Sequence, residues 1–144
     1  MLFRSYLLDE LKSEYRVKGI EIGDEAVRYC QARGLEVSSV SLEQYLEGPA
    51  ETFDIIVISH VLEHLLLPDE CLRQLKQRLN PDGRIFVLVP NYECYTSDWF
   101  GSAWGWWQVP VHINHFCVSS MNRLAERSGY AVISTRLKGG DSLM

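Results

Sequence analysis

Apolar residues recur at helical spacing at the start of the chain, where Phe3, Tyr6, Leu7, Leu11 and Tyr15 share a face and Arg4, Ser5, Asp9, Glu10 and Lys12 fill the others. The pattern predicts an opening helix, then a short strand over 17–22. Gly23-Asp24-Glu25 supplies a cap and first-turn acids for a second helix, with Ala26, Val27 and Cys30 inward and Gly34 at its end. Residues 35–40 form the next strand candidate. After a polar stretch over 47–52, Phe53-Asp-Ile-Ile-Val-Ile-Ser59 runs almost unbroken in β-branched residues, which predicts a strand buried on both faces. Pro68-Asp69-Glu70 opens a further helix with Leu72, Leu75 and Leu79 on one side, and the turn residues Asn80-Pro81-Asp82-Gly83 end it. Residues 85–89 read as a second fully apolar strand. Periodicity then disappears over 90–116, a segment holding Trp99, Trp104, Trp106 and Trp107 and expected to be a lid or binding loop. A helix over 119–128, with Met121, Leu124 and Ala125 inward and Gly129 at its end, precedes a strand over 130–135 and a frayed tail over 138–144.

Alternating helices and strands with short turns point to an open, mostly parallel sheet covered by helices on both faces. At 144 residues with 47% apolar composition, the chain is long enough for one domain with a buried core. A formal charge of −5 without a basic block disfavours a nucleic-acid partner and leaves a small molecule as the default. Cys30, Cys71, Cys94 and Cys117 form no C-x-x-C pair and read as reduced, mostly buried thiols. No secretory leader and no apolar run long enough for a membrane span are legible, so a soluble, cytoplasmic protein is expected.

In open α/β sheets ligands bind beyond the carboxyl ends of the strands. Glu21 ends the first strand, where a carboxylate can accept hydrogen bonds from both hydroxyls of a ribose; the competing reading is a solvated acid serving the next helix dipole. Ser41 and Leu42 follow the second strand candidate and by themselves are ordinary loop residues. The most distinctive segment is Ser59-His60-Val-Leu-Glu-His64. Its last five residues match H-x-x-E-H, a zinc metalloprotease pattern in which two histidines on one helix hold the metal. Here the first histidine ends a strand and the helix starts later, at about Pro68, so the pattern is read as coincidence and no metal is expected.

Taken together, Phe53-Asp-Ile-Ile-Val-Ile-Ser-His-Val-Leu-Glu-His-Leu65, the leucines 72–79 and Asn80-Pro-Asp-Gly-Arg-Ile-Phe-Val-Leu-Val-Pro-Asn91 resemble the middle of class I S-adenosylmethionine-dependent methyltransferases, where an FD opens the fourth strand, LEH follows it and PGG precedes the fifth. Val17-Lys-Gly-Ile-Glu-Ile-Gly-Asp-Glu-Ala-Val27 is similar to the family's second strand and following helix. Pro110-Val-His-Ile-Asn-His-Phe116 is similar to its P-x-H-x-x-x-F element. The resemblance covers 3–135.

This resemblance implies a Rossmann-like α/β fold, S-adenosylmethionine as cofactor, and a cofactor site built from Glu21 and Ile22 at the ribose, Ser41 and Leu42 at the adenine, and Ser59 and His60 along the floor. It departs at Ser41, where the family carries an acid. Neither the family's first strand nor its glycine-rich G-x-G-x-G turn is legible, so the fold is expected to be incomplete at its amino end, and the final antiparallel strand is expected to be missing too. The chain then reads as a fragment or truncated product, or as one that takes a strand from another chain, including a second copy of itself.

The implied activity is methyl transfer to an O, N or C atom of a small acceptor. His112, His64 and His115 are the candidate bases, His112 foremost because it follows the tryptophan segment; the competing reading has each imidazole fixing the loop by hydrogen bonds to backbone. The tryptophans themselves read equally as an acceptor lid or as packing. Two other functions compete: a non-catalytic Rossmann-like remnant or interaction module, and, more weakly, a nicotinamide-dependent oxidoreductase.

Overall fold

A close approach organises the first fifty residues. Gly19 opens the strand β1 (Gly19–Glu21), and a Cβ there would lie 2.8 Å from Leu8 and 3.2 Å from Val37, so only glycine lets helix α1 (Phe3–Leu11) and strand β2 (Val37–Ser39) come this near. β1 and β2 pair in parallel, Gly19 opposite Val37 and Glu21 opposite Ser39. Between them runs α2 (Asp24–Gln31), with Asp24 and Glu25 in its first turn, and Gly34 takes the left-handed φ of +73° just beyond it.

The structure, a computed structural model, describes residues 3–138 and 142–143, and the chain divides into two compact units, Met1–Ala50 and Glu51–Met144. In the first unit Val27, Cys30, Leu35 and Val37 form the core, with Leu8 and Val17 packed against it. The opening helix therefore turns Leu8 inward, whereas Tyr6, Leu7, Leu11 and Tyr15 of the predicted apolar face are exposed. Two three-residue strands offer too little surface to cover a whole helix face. A third helix, α3 (Leu42–Glu47), is absent from the sequence expectation; Ser41 caps it, accepting from the Gln44 amide while the Gln44 side chain accepts from the Ser41 amide.

The second unit is built on a parallel pair, β3 (Phe53–Ser59) and β4 (Leu79–Pro90), joined through α4 (Pro68–Lys76). Asn80-Pro81-Asp82-Gly83 does not end a helix as expected: α4 stops at Lys76, Leu79 already pairs with Phe53, and the four turn residues form a bulge before pairing resumes at Ile55 with Arg84. After α5 (Tyr95–Phe100) and α6 (Val118–Arg127) come two short strands, β5 (Leu137–Lys138) and β6 (Ser142–Leu143). The sheet order is β3-β4-β6-β5, with β6 antiparallel to both neighbours.

Three further expectations are corrected here. The strand expected over 130–135 is irregular, and pairing begins at Leu137. An antiparallel strand does lie beside β4, with Leu143 opposite Val89, where none was expected. β3 is not buried on both faces: Ile58 is 4% exposed, but Ile55 and Val57 are 53% and 46% exposed and continue into exposed Phe86, opposite Val57 on β4. α4 and α6 are tied together at the carboxyl end of α6. Ser128 donates to the Asp69 carbonyl at 3.3 Å, Tyr130 donates to the Leu72 carbonyl at 2.8 Å, and Lys76 reaches the Gly129 carbonyl.

The result is an α/β fold of small, largely parallel sheets with helical crossovers, the Rossmann-like pattern. Among the described residues no helix is long and apolar enough to cross a membrane. All four cysteines are free and buried.

Candidate functional site

Residues singled out from the sequence stand at strand ends in both units. In the first, the Glu21 carboxylate closes β1 and folds over the start of α2, its Oε1 accepting from the Ile22 and Gly23 amides at 2.9 and 3.1 Å. That fixes the carboxylate at the positive end of a helix. Ile22 is exposed beside it. Ser41 spends its hydroxyl oxygen on the cap of α3, and Leu42 is the first residue of that helix.

In the second unit, Ser59 ends β3 and His60 follows with a left-handed φ of +52°. A histidine held there stores roughly 1–3 kcal/mol of backbone strain. The turn places Leu62–His64 as a single 3-10 turn rather than the α-helix a zincin-type motif requires. Its central residue, Glu63, is 1% exposed. His60 Nδ1 donates to Glu63 Oε1 at 3.1 Å, while Glu63 Oε2 has no hydrogen-bond partner among the described residues. Across the fold, the backbone carbonyl of Glu63 accepts from the Ile113 and Asn114 amides at 2.9 and 3.0 Å. Asn114 Nδ2 donates in turn to the Leu62 and Leu65 carbonyls at 3.4 and 2.6 Å.

This clasp brings His112 next to His64. Their rings meet edge to face with centroids 4.8 Å apart. His112 is 4% exposed and donates from Nδ1 to the Trp106 carbonyl at 2.7 Å; His64 is exposed and donates from Nδ1 to the Val111 carbonyl at 3.0 Å. His115 sits apart from them, its Nε2 3.2 Å from the Trp107 carbonyl and its ring edge-on to Trp107.

The tryptophans differ in how they are held. Trp104 is buried and donates to Thr96, Trp107 donates to the Gly101 carbonyl, and the two rings pack edge to face, so both hold the segment together. Trp106 instead lies flat against His60, centroids 5.3 Å apart, and Trp99 is exposed. The segment expected to be wholly irregular contains α5 and a short turn, Gly101–Ala103. At its far end burial pushes the Cys117 thiol up, but hydrogen bonds from Ser119 and Ser120 outweigh it and hold the thiol below its usual value.

Residues 6–135 match the model of a methyltransferase-domain family. The chain belongs to that family, the class I S-adenosylmethionine-dependent methyltransferases. The family's cofactor is S-adenosylmethionine. The mitochondrial ubiquinone biosynthesis O-methyltransferase of Homo sapiens is 33% identical over 52% of this chain and 23% of its own length. The corresponding enzyme of Salmonella paratyphi A is 27% identical over 52% of this chain and 34% of its own length. The chain thus matches about a quarter to a third of these relatives. Among solved structures, a SAM-dependent methyltransferase from Archaeoglobus fulgidus superposes with a TM-score of 0.74 at 21% identity, covering 92% of this chain and 59% of that one. A possible histamine N-methyltransferase from Thermotoga maritima gives 0.68 at 16% identity, over 94% and 68% of the two chains. These likenesses extend the shared fold over nearly all of this methyltransferase-family chain.

Of the residues singled out from sequence, His60, His64 and His112 come together around Glu63, which the sequence reading treated only as part of a motif. Its burial carries no local signal: a single glutamate in the stretch 61–67 reads as a solvated one, and its environment is set by the distant Ile113 and Asn114.

Proposed function

We propose that the chain carries out methyl transfer from S-adenosylmethionine to an O, N or C atom of a small-molecule acceptor. The observation that carries this reading is the family match over 6–135, joined to functional side chains at the carboxyl ends of β1 and β3.

The residues fit the cofactor at its ribose. Glu21 is an acidic acceptor fixed by two backbone amides at a strand end, the chemistry a vicinal diol requires. Ser41 fits the adenine less well, because its hydroxyl is committed to a helix cap. When bound, S-adenosylmethionine supplies an electrophilic methyl group on a sulfonium. The protein's part is to align the acceptor, exclude water and accept a proton where the acceptor carries one. Imidazoles are the natural acceptors near neutral pH. His60, oriented by the buried Glu63 carboxylate, and His64, at the surface, lie where the strand ends; His112 lies beneath them and His115 braces the tryptophan segment. Trp106, flat against His60, offers an aromatic wall to a planar acceptor.

Calorimetric titration with S-adenosylhomocysteine tests the cofactor half of this reading. The wild-type chain is expected to bind one equivalent, and Glu21→Ala to bind at least tenfold more weakly, the loss of hydrogen bonds to a charged acceptor. A folded chain that gives no binding heat would instead support the non-catalytic remnant. His60→Ala, His64→Ala and His112→Ala, compared for turnover at saturating cofactor, identify the proton acceptor as the variant whose kcat falls without a change in cofactor affinity.

A further inference from the structure

The fold gathers a set of donor atoms larger than the acceptance of one proton requires. Glu63, His64 and His112 present one ligand atom each within 4.8 Å of one another. We propose that these three residues bind a divalent first-row transition ion of the zinc type, leaving one coordination position for water or a substrate oxygen.

Four features of the geometry carry the inference. His64 and His112 each donate Nδ1–H to a backbone carbonyl, Val111 and Trp106 respectively, so in the neutral rings Nε2 holds the lone pair. A carbonyl behind the ring is also the partner that metal-binding histidines characteristically have. Glu63 Oε2 is buried without a hydrogen-bond partner among the described residues, although Oε1 of the same carboxylate is paired with His60. A carboxylate oxygen so placed costs free energy unless a cation meets it, and a ring nitrogen of each imidazole lies within 4.8 Å of the carboxylate. Two nitrogens and one oxygen are the donor set of zinc, cobalt or iron(II), whereas magnesium and calcium favour all-oxygen surroundings. In a tetrahedral site with bonds of about 2.1 Å the donors stand about 3.4 Å apart, so the rings must close slightly on the ion, and the exposed His64 supplies that movement.

The arrangement also resolves the H-x-x-E-H pattern in an unexpected way. The first histidine of the pattern, His60, is outside the donor set and orients the glutamate; the glutamate is a ligand; the third ligand comes from a histidine on the far side of the tryptophan segment. Metal binding leaves His60 as the nearby imidazole outside the donor set.

Cobalt(II) added to the metal-stripped full chain tests this with neither cofactor nor acceptor present, so its outcome is separate from that of the methyl-transfer reading. One equivalent is expected to give the visible bands of a low-symmetry nitrogen–oxygen site, displaced by zinc. Glu63→Gln, which keeps the shape of the side chain, and His64→Ala, at the surface, are each expected to weaken binding by at least a hundredfold. His60→Ala, which removes the imidazole orienting the carboxylate, is expected to weaken it by about 10- to 100-fold. No cobalt spectrum, binding that both Glu63→Gln and His64→Ala leave unchanged, or an intense thiolate charge-transfer band from the cysteines would each overturn the proposal.

Discussion

Tyr130 shows how one side chain reports on the packing around it. Its hydroxyl donates to the Leu72 carbonyl at 2.8 Å, and burial, helped by the nearby Cys71 thiol, pushes its pKa from 10.0 to about 12. The folded chain therefore keeps a proton that the unfolded chain releases between pH 10 and about 12, and stability falls as pH rises through that window. Tyr130→Phe is expected to be less stable than the wild type by about 1 kcal/mol at pH 8, the worth of a neutral hydrogen bond. Across the alkaline window the difference should shrink, because the variant has no phenol to ionise. Urea denaturation at a series of pH values measures both; a difference that stays constant to pH 12 would mean that the phenol is not held by the fold.

At the scale of elements, the two faces of β3 make opposite predictions from nearly identical residues. Ile58→Ala removes a buried side chain and is expected to cost about 2–4 kcal/mol of stability, whereas Val57→Ala, on the face shared with Ile55 and Phe86, is expected to cost less than about 1 kcal/mol. Denaturation midpoints of the two variants compare them directly. The β-branched run made the strand itself legible, but an apolar strand reads the same whether one face or both are covered.

Other elements were legible for local reasons. First-turn acids and Gly34 announced α2, the apolar face and Gly129 announced α6, and Pro68 announced α4. α3 is not legible although Ser41 and Gln44 have capping-box spacing, because six residues, with Leu42, Tyr45 and Leu46 on one side, make too short a stretch for helical periodicity to stand out. The bulge at residues 80–83 was mistaken for a helix end because turn residues look alike in both settings. Glu21 and His60 do stand at the ends of β1 and β3, as the pattern indicated; the meeting of Glu63 with His112 is long-range and leaves no trace in spacing.

Considered whole, the chain keeps the second unit together through its backbone. Amides of Ile113 and Asn114 bond to the Glu63 carbonyl, and the Asn114 side chain reaches the Leu62 and Leu65 carbonyls, tying two segments distant in sequence. The exposed Trp99 and Phe100 lie on the excursion between them. A single chymotryptic cut after either residue is therefore expected to leave two pieces that elute together in native size-exclusion chromatography and separate only in denaturant. Separate elution under native conditions would show that the clasp does not bear the load assigned to it.

Because that clasp is made largely of main-chain atoms, which almost any residue supplies, the tryptophan excursion behaves as an exchangeable cassette. Its exposed part, around Trp99 and Phe100, can drift while the Trp106 and Trp107 carbonyls keep His112 and His115 in register. Libraries that vary this one stretch of chain can thus be built without redesigning the scaffold around it.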